Sequence, residues 1–496
     1  MSMDGILKQE TTDAVDTAIL LTSSGVFASG SLEPGEALPS PLMRVGGMTL
    51  FQRAVFTLQR GGISQIWVLA GKEEPMLREL LREDSRLQAA VRWLPVREFP
   101  PHDPQTWEAL ADEISGACMV VGCHTIFSPS LVQRLRQEGA QGKAVVVVGQ
   151  EEEGYHAGNP GVMLKTDGVE GGTASWVMFR DPPMASTMES ASLSKIQNEP
   201  RLSIVGDLIV LPGRLLGISG VLHASGTNPL RLALEQAAVE GTVQTIPGAT
   251  HWFRDVRGPK GGRLAEQTLV RSLQTLKGGM DGLVDRYVNR KCSGLLTRLF
   301  LKLRWTPNTI TILSMVVGLV AAGFFIPGSW EYALIGALLF QLSVIIDCCD
   351  GEVARLTFAE SKFGQELDIW ADNVVHIAIF AGIACGAYLQ GPWEQTHLPL
   401  ILGASAVLAN VVSLLLVNAA RHLRSHSTDF RRLTDREREK IEFLLGNVAN
   451  RDFSLVVLIG AGLGFLHWFL ALAAIGSWFF VMSLAWLLRR NLTSRA

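Results

Sequence analysis

Between two long apolar runs the chain reads Asp347-Cys-Cys-Asp350-Gly351-Glu-Val-Ala354-Arg355, followed by Gly364, Asp368 and Asp372. The spacing is D-x2-D-G-x2-A-R-x8-G-x3-D-x3-D. Ionisable groups inside or beside a membrane are costly, and where they persist they mark function. On a helix, residues three or four apart share a face. Asp347 and Asp350 therefore form one pair, with Ala354 a turn further on. Asp368 and Asp372 form a second, with Gly364 a turn before it. Two helices can each turn a carboxylate pair toward the other. Facing pairs with only Arg355 to balance them repel strongly in a low dielectric. Bound divalent cations resolve that repulsion. An all-oxygen donor set suits Mg²⁺, Mn²⁺ or Ca²⁺, and Mg²⁺ is commonly shared with substrate phosphates. Gly351, Ala354 and Gly364 lack bulk and would let a ligand approach the backbone. Arg355 can neutralise a phosphate or pair with an aspartate. A lone D-x2-D would be no more than a solvated helix end half the time; eight fixed positions are not.

The elements that must hold these residues are apolar helices. The chain has 496 residues, 48% hydrophobic and 18% charged, and the apolar content is concentrated beyond about residue 300. Six membrane segments are expected, at roughly Thr306–Pro327, Glu331–Cys349, Asp368–Gln390, Leu398–Ala420, Phe453–Leu466 and Trp468–Leu488. Most reach the ~20 residues that a bilayer requires; the fifth is short. Lys and Arg set the orientation. Arg290, Lys291, Arg298, Lys302 and Arg304 precede the first segment, Arg421–Arg451 is strongly basic, and Arg489, Arg490 and Arg495 close the chain. The opposite loops, Gly328–Trp330 and Gly391–His397, carry no Lys or Arg. Both termini and the aspartates are thus expected on the cytoplasmic side, with Trp330, Trp393 and Trp468 anchoring the far interface. Met1–Asp16 is polar, so no cleavable signal peptide is expected. The six cysteines show no metal-ligand spacing and are read as free thiols. The net charge of −3 decides little.

The aspartate pattern resembles the signature of the CDP-alcohol phosphotransferase family at every fixed position. Thr306-Pro-Asn-Thr-Ile-Thr311 opens the first apolar run as it does in that family, and the resemblance spans about Asp281 to Arg490. It implies a six-helix membrane enzyme of phospholipid synthesis. Such an enzyme moves a substituted phosphate from a CDP-alcohol, such as CDP-diacylglycerol, to an acceptor hydroxyl and releases CMP. Asp347, Asp350, Asp368 and Asp372 would hold two Mg²⁺ or Mn²⁺ ions, and Asp372 would also be the general base. Gly351, Ala354, Arg355 and Gly364 would lie along the CDP moiety, with Asn308 lining the nucleotide pocket. Family members often dimerise, and no nucleic acid is implied. A small polar or polyol-phosphate acceptor, if anionic, needs cations. Lys362, Arg421, Arg424 and Arg451 are candidates, each equally explained by topology. His376, one turn after Asp372, either tunes the base or satisfies a polar cavity.

The first half alternates short apolar runs with amphipathic stretches, predicting a largely parallel, helix-covered sheet. Strands are expected at Ala18–Thr22, Gln65–Ala70, Val91–Leu94, Cys118–Gly122, Ala144–Val148, Val162–Lys165, Ala174–Phe179 and Asp207–Leu211. Helices are expected near Leu50–Arg60, Met76–Glu83, Pro129–Gln137, Pro229–Val239 and Leu264–Leu276. The stretches Pro41–Val55 and Gly62–Gly71 resemble sugar-nucleotide and polyol-phosphate nucleotidyltransferases, and Trp252-Phe-Arg-Asp255-Val resembles their late metal-binding segment. The departures are chemical. Leu21–Gly30 carries no arginine, Ser40 stands where a lysine is expected, and Gly122-Cys123-His124-Thr125 lacks an aspartate. Cations and a carboxylate are what a transferring triphosphate needs. This half is therefore expected to be inactive, a structural or regulatory domain, with His124 a hydrogen-bonded core residue rather than a ligand. The domains are set at 1–276, a hinge and interfacial helix at 277–304, and the membrane bundle at 305–496. Paired glycines in Lys277–Gly282 mark the hinge. Arg286–Arg304 is read as the amphipathic helix, with Leu295, Leu296, Leu299 and Leu303 as its apolar stripe. Two other readings stay open: a bifunctional enzyme whose first half makes a CDP-polyol, and a membrane scaffold or transporter with a vestigial site.

Overall fold

The computed structural model describes residues 15–26, 38–114, 116–149, 161–166, 173–180, 202–218, 228–247, 252–257, 260–276, 290–390, 396–426 and 453–493. The chain divides into two compact units, Met1–Leu269 and Val270–Ala496.

The first unit carries β1 (Thr17–Leu21), β2 (Arg44–Val45), β3 (Met48–Thr49), β4 (Gln65–Ala70), β5 (Ala90–Pro95), β6 (Ala117–Gly122), β7 (Thr125–Phe127), β8 (Ala144–Gly149), β9 (Gly161–Thr166), β10 (Thr173–Arg180), β11 (Leu202–Pro212), β12 (Val243–Pro247) and β13 (Phe253–Asp255). Its helices are α1 (Leu50–Arg60), α2 (Glu74–Arg82), α3 (Pro104–Glu113), α4 (Pro129–Gly139), α5 (Gly213–Ile218), α6 (Pro229–Val239) and α7 (Gly261–Leu276), the last crossing the division. The main sheet has the order β5-β4-β1-β6-β11-β8-β12-β10-β9. β5, β4, β1 and β6 are parallel, as are β8 and β12; only β11 and β10 run against the rest. The expected, largely parallel sheet is present. Strands buried on both faces read as unbroken apolar runs, and Ile19–Leu21 and Val120–Val121 are indeed almost wholly buried. Helix starts follow one recipe. Asp103, Ser128 and Asn228 each cap a helix through a side-chain oxygen, and each is followed by proline at the first helical position.

The second unit is helical: α8 (Arg290–Leu303), α9 (Pro307–Phe325), α10 (Trp330–Leu356), α11 (Lys362–Gln390), α12 (Leu398–His426), α13 (Phe453–Gly462) and α14 (Leu466–Thr493). Five described helices, α9 to α12 and α14, are long and apolar enough to cross a membrane, which makes this a multi-pass membrane unit. The expected fifth segment, Phe453–Leu466, ends earlier than expected. Among the described residues its helix, α13, covers Phe453–Gly462, stopping four residues before Leu466. The amides of Gly464 and Phe465 bond back to Ala461 and Gly460, and Gly464 takes φ +73°. This double bond closes the helix before α14 begins.

Small residues let α9, α10 and α11 approach backbone to backbone, as membrane helices without a hydrophobic drive must. A Cβ on Gly382 would lie 2.4 Å from the Ala322 carbonyl oxygen, and one on Gly386 would lie 2.2 Å from that of Phe325. A Cβ on Gly318 would meet Val375 at 2.6 Å. Phe325, Phe340, Ile379 and Ile383 fill the core around these contacts. Exposed Val316, Val320, Leu338 and Leu342 face outward, where lipid would cover them.

Candidate active site

α10 and α11 are joined by residues 357–361 alone. The turn closes α10 through Phe358 N–H to Arg355 O and Ala359 N–H to Ala354 O, with Phe358 at φ 53°. Glycine usually fills this left-handed position, and a bulky residue there costs on the order of 1–2 kcal/mol. The tight return brings the two acidic pairs level. Asp347 lies roughly 14 Å back from the end of α10 and Asp372 roughly 15 Å into α11, at 1.5 Å per residue. One carboxylate oxygen from each of Asp347, Asp368 and Asp372 lies within 4.8 Å of the others. Asp347 is buried and the other two are half-buried. At such spacing each pair of charges repels by a few kcal/mol at an effective dielectric near 20. Three convergent carboxylate oxygens are the donor set of a hard divalent cation. The residues fit a metal ion.

Asp350, the fourth carboxylate, is not part of that trio. Its Oδ2 accepts the hydroxyl of Thr311 on α9. One turn further along α9, Ser314 Oγ lies 3.4 Å from Asp347 Oδ1, and the Ser314 carbonyl accepts from Ser343 Oγ at 2.7 Å. Hydroxyls at i, i+3 on one helix thus face carboxylates at i, i+3 on the next. Sequence reasoning assigned neither Thr311 nor Ser314 a role, although their spacing matched that of the aspartates.

Gly364 sits beside Asn308: a Cβ there would lie 3.1 Å from Asn308 Oδ1 and from Ser361 Oγ. Two of the five residues expected near the nucleotide, Gly364 and Asn308, are thus neighbours. A Cβ on Gly351 would make only ordinary contact, 3.4 Å from Arg355 Nη1. Packing within the protein therefore does not demand glycine at 351. Ala354 and Arg355 are half-buried on the same helix, and Lys362 is exposed at the first turn of α11. Arg421 and Arg424 fall on the backbone of α12, and Arg451 lies outside the described residues. The His376 ring meets Phe453 of α13 edge-on, with centroids 4.8 Å apart.

In the first unit, His124 is a buried core residue. Its Nε2 lies 2.7 Å from Asp207 Oδ2, and Asp207 Oδ1 accepts the Val26 N–H at 2.9 Å. Burial alone would raise the Asp207 carboxyl, but the facing His124, with Arg257 and the Val26 N–H, outweighs it and holds the group below its usual range. A Cβ on Gly122 would strike Asp207 Oδ2 at 2.2 Å, so the pair requires glycine there. Asp255 pairs instead with Arg257, whose Nε donates to its Oδ2 at 2.6 Å. Because its folded pKa is depressed, Asp207 contributes stability above the ordinary aspartate range, and this is lost as pH falls through the lowered value. Asp207→Ala strands a buried partner and is expected to cost about 3 kcal/mol or more. Hydrogen exchange on the full chain checks this. Amides of β1 and β6 should exchange faster while those of α9–α11 do not; unchanged protection of β1 and β6 would remove the pair as a stabilising contact.

Comparison with known proteins adds four findings. The family described as CDP-alcohol phosphatidyltransferase matches residues 304–487. The chain is 23% identical over 385 residues to "Bifunctional IPC transferase and DIPP synthase" of Aquifex aeolicus, covering 77% of this chain and 79% of that protein. It is 29% identical over 134 residues to "Phosphatidylinositol phosphate synthase" of Mycobacteroides abscessus, covering 27% of this chain and 59% of that one. Among solved structures, the inositol-1-phosphate CTP transferase from T. maritima aligns with TM-score 0.38 and 12% identity over 51% of this chain and 95% of that chain.

Proposed function

The chain carries a CDP-alcohol phosphatidyltransferase domain over residues 304–487 and is a transferase of substituted phosphate groups; from that premise we propose that it moves a phosphatidyl-type group from CDP-diacylglycerol to a hydroxyl of a polyol phosphate. The observation that carries this reading is the convergence of Asp347, Asp368 and Asp372. These three carboxylates, with Asp350 beside them, would hold Mg²⁺ or Mn²⁺, and a bound ion there supplies charge neutralisation for the pyrophosphate. Asp372 takes the proton of the acceptor hydroxyl. The hydroxyl oxygen forms the new P–O bond at the lipid-bearing phosphorus as the bond to the CMP oxygen breaks, and CMP leaves with that electron pair. Gly351, Ala354, Gly364, Arg355 and Asn308 line the CDP moiety. Glycine at 351, which the protein's own packing does not require, is explained by a ligand pressed against the helix.

The Mycobacteroides relative supports the acceptor class, because its name is that of a phosphatidylinositol phosphate synthase. Lys362, Arg421 and Arg451 are the cations that would meet the acceptor's phosphate. The Lys and Arg bias of the loops supports a cytoplasmic side for the site and both termini, and the working domain limits are 1–276, 277–304 and 305–496. The first domain serves as a structural or regulatory element. Missing phosphate-binding cations and the closed His124–Asp207 pair support that role. The name of the Aquifex relative, which aligns over most of both chains, favours a second, bifunctional reading.

One experiment separates these. Purified full-length protein with Mg²⁺, CDP-diacylglycerol and inositol phosphate should release CMP and form a phosphorylated lipid product. No CMP from any polyol phosphate would sink the proposed donor–acceptor pair. The same protein given CTP and inositol phosphate should release no pyrophosphate; steady release would establish the bifunctional reading instead.

A further inference from the structure

α8 is held to the site helix by a buried polar clasp that no part of the transfer chemistry uses. Glu352 occupies a variable position of the aspartate motif, between Gly351 and Ala354, and is 6% exposed. Its Oε1 accepts the hydroxyl of Ser293 at 2.8 Å, and its Oε2 accepts that of Thr297 at 2.6 Å. Both donors lie on α8, one turn apart, and both are fully buried. Ser293, Gly294, Thr297, Phe300 and Leu301 form the buried face of α8, while Leu295, Leu299 and Leu303 are exposed. The apolar stripe legible in the sequence is therefore the outward face, and the face that docks onto the protein begins with two hydroxyls.

Burying a carboxylate is expensive unless it is hydrogen-bonded. A contact needed only for adhesion would be served as well by apolar residues of similar volume. What a carboxylate gripped by two hydroxyls adds is direction: it fixes how far α10 is rotated and translated against α8. At about 100° per residue, Glu352 projects roughly 200° around α10 from Asp350. Asp350 is tied on the other side by Thr311 of α9. The stretch of α10 that bears Asp347, Asp350 and Arg355 is thus pinned from two opposite faces.

We propose that Glu352 is a positioning residue, which, with Ser293 and Thr297, sets the rotation of α10 so that Asp347 stays in register with Asp368 and Asp372 for cation binding. The inference rests on the metal-centre reading above. Mn²⁺ titration of detergent-purified full-length protein, followed by the electron paramagnetic resonance of the free ion, tests it without turnover. Wild-type protein should bind Mn²⁺. Glu352→Leu should raise the dissociation constant about 10-fold, in the range seen when groups that orient metal ligands are lost. The Ser293→Ala/Thr297→Val pair should do the same, and Glu352→Gln, which keeps one accepting oxygen, should recover part of the loss. In CMP-release assays kcat should fall in Glu352→Leu while KM for the CDP-alcohol moves less than about threefold. A clasp that merely adds stability would lower the melting temperature of Glu352→Leu and leave the Mn²⁺ constant within twofold of wild type, and that result overturns the proposal. Absence of Mn²⁺ binding in wild-type protein overturns the metal-centre reading, and the clasp falls with it.

Discussion

Asp372→Asn should lower kcat by roughly 10³-fold, within the range associated with a positioned general base, while the CDP-alcohol continues to bind. The amide keeps the size and hydrogen-bonding reach of the carboxylate but cannot accept the acceptor's proton. It also removes one of three charges converging within 4.8 Å. Those two losses are separable. Loss of a ligand shifts the cation concentration needed for activity, whereas loss of the base persists at saturating Mg²⁺. CMP release measured across a Mg²⁺ series, beside the same series for Asp368→Asn, distinguishes them. Asp368→Asn should be partly restored by high Mg²⁺; Asp372→Asn should not. Wild-type turnover in Asp372→Asn would take that residue out of the role of base.

The second large effect is on folding. Gly382→Ala is expected to cost 3 kcal/mol or more, at the upper end for overpacking. Its Cβ would sit 2.4 Å from the Ala322 carbonyl oxygen, a backbone atom inside α9 that cannot swing aside. Gly323→Ala is the matched control, since a Cβ there meets nothing within 4 Å. That change should be neutral, or stabilising by up to about 1 kcal/mol from helix propensity. Thermal unfolding of both variants in the same detergent gives the comparison. Equal melting temperatures would mean that α9 and α11 do not approach as closely as described.

The sequence carried much of this architecture because its strongest signals are local. Leu50–Arg60 and Pro229–Val239 were legible to the residue, since each has a capping side chain at one end and a regular apolar face. α3 escaped notice although Asp103-Pro104 is a cap followed by proline, with Trp107 and Leu110 one turn apart on the buried side. Its apolar content was too thin to stand out beside Pro100 and Pro101. β12 was missed for a related reason: five residues with Gln and Thr among them carry little period.

At the site, spacing put Asp347 opposite Asp368 and Asp372, because α10 and α11 are adjacent in the chain, but not Asp350, which turns to Thr311. Partners that come from elsewhere were harder to see. Thr311 with Asp350, Glu352 with Ser293 and Thr297, and His124 with Asp207 join residues 39 to 83 positions apart. No periodicity within one element encodes such pairs. The C-terminal end of α13 was also out of reach, because hydropathy runs on through Gly462 and Gly464 while the backbone does not.

The turn at Phe358 has a wider implication. The four aspartates proposed as ligands and Arg355 all lie on one hairpin whose bend, residues 357–361, is too short to lengthen without parting them. Such a hairpin can be inherited as a cassette, its reaction fixed, while neighbouring helices and whatever is fused ahead of them diverge to suit new alcohols.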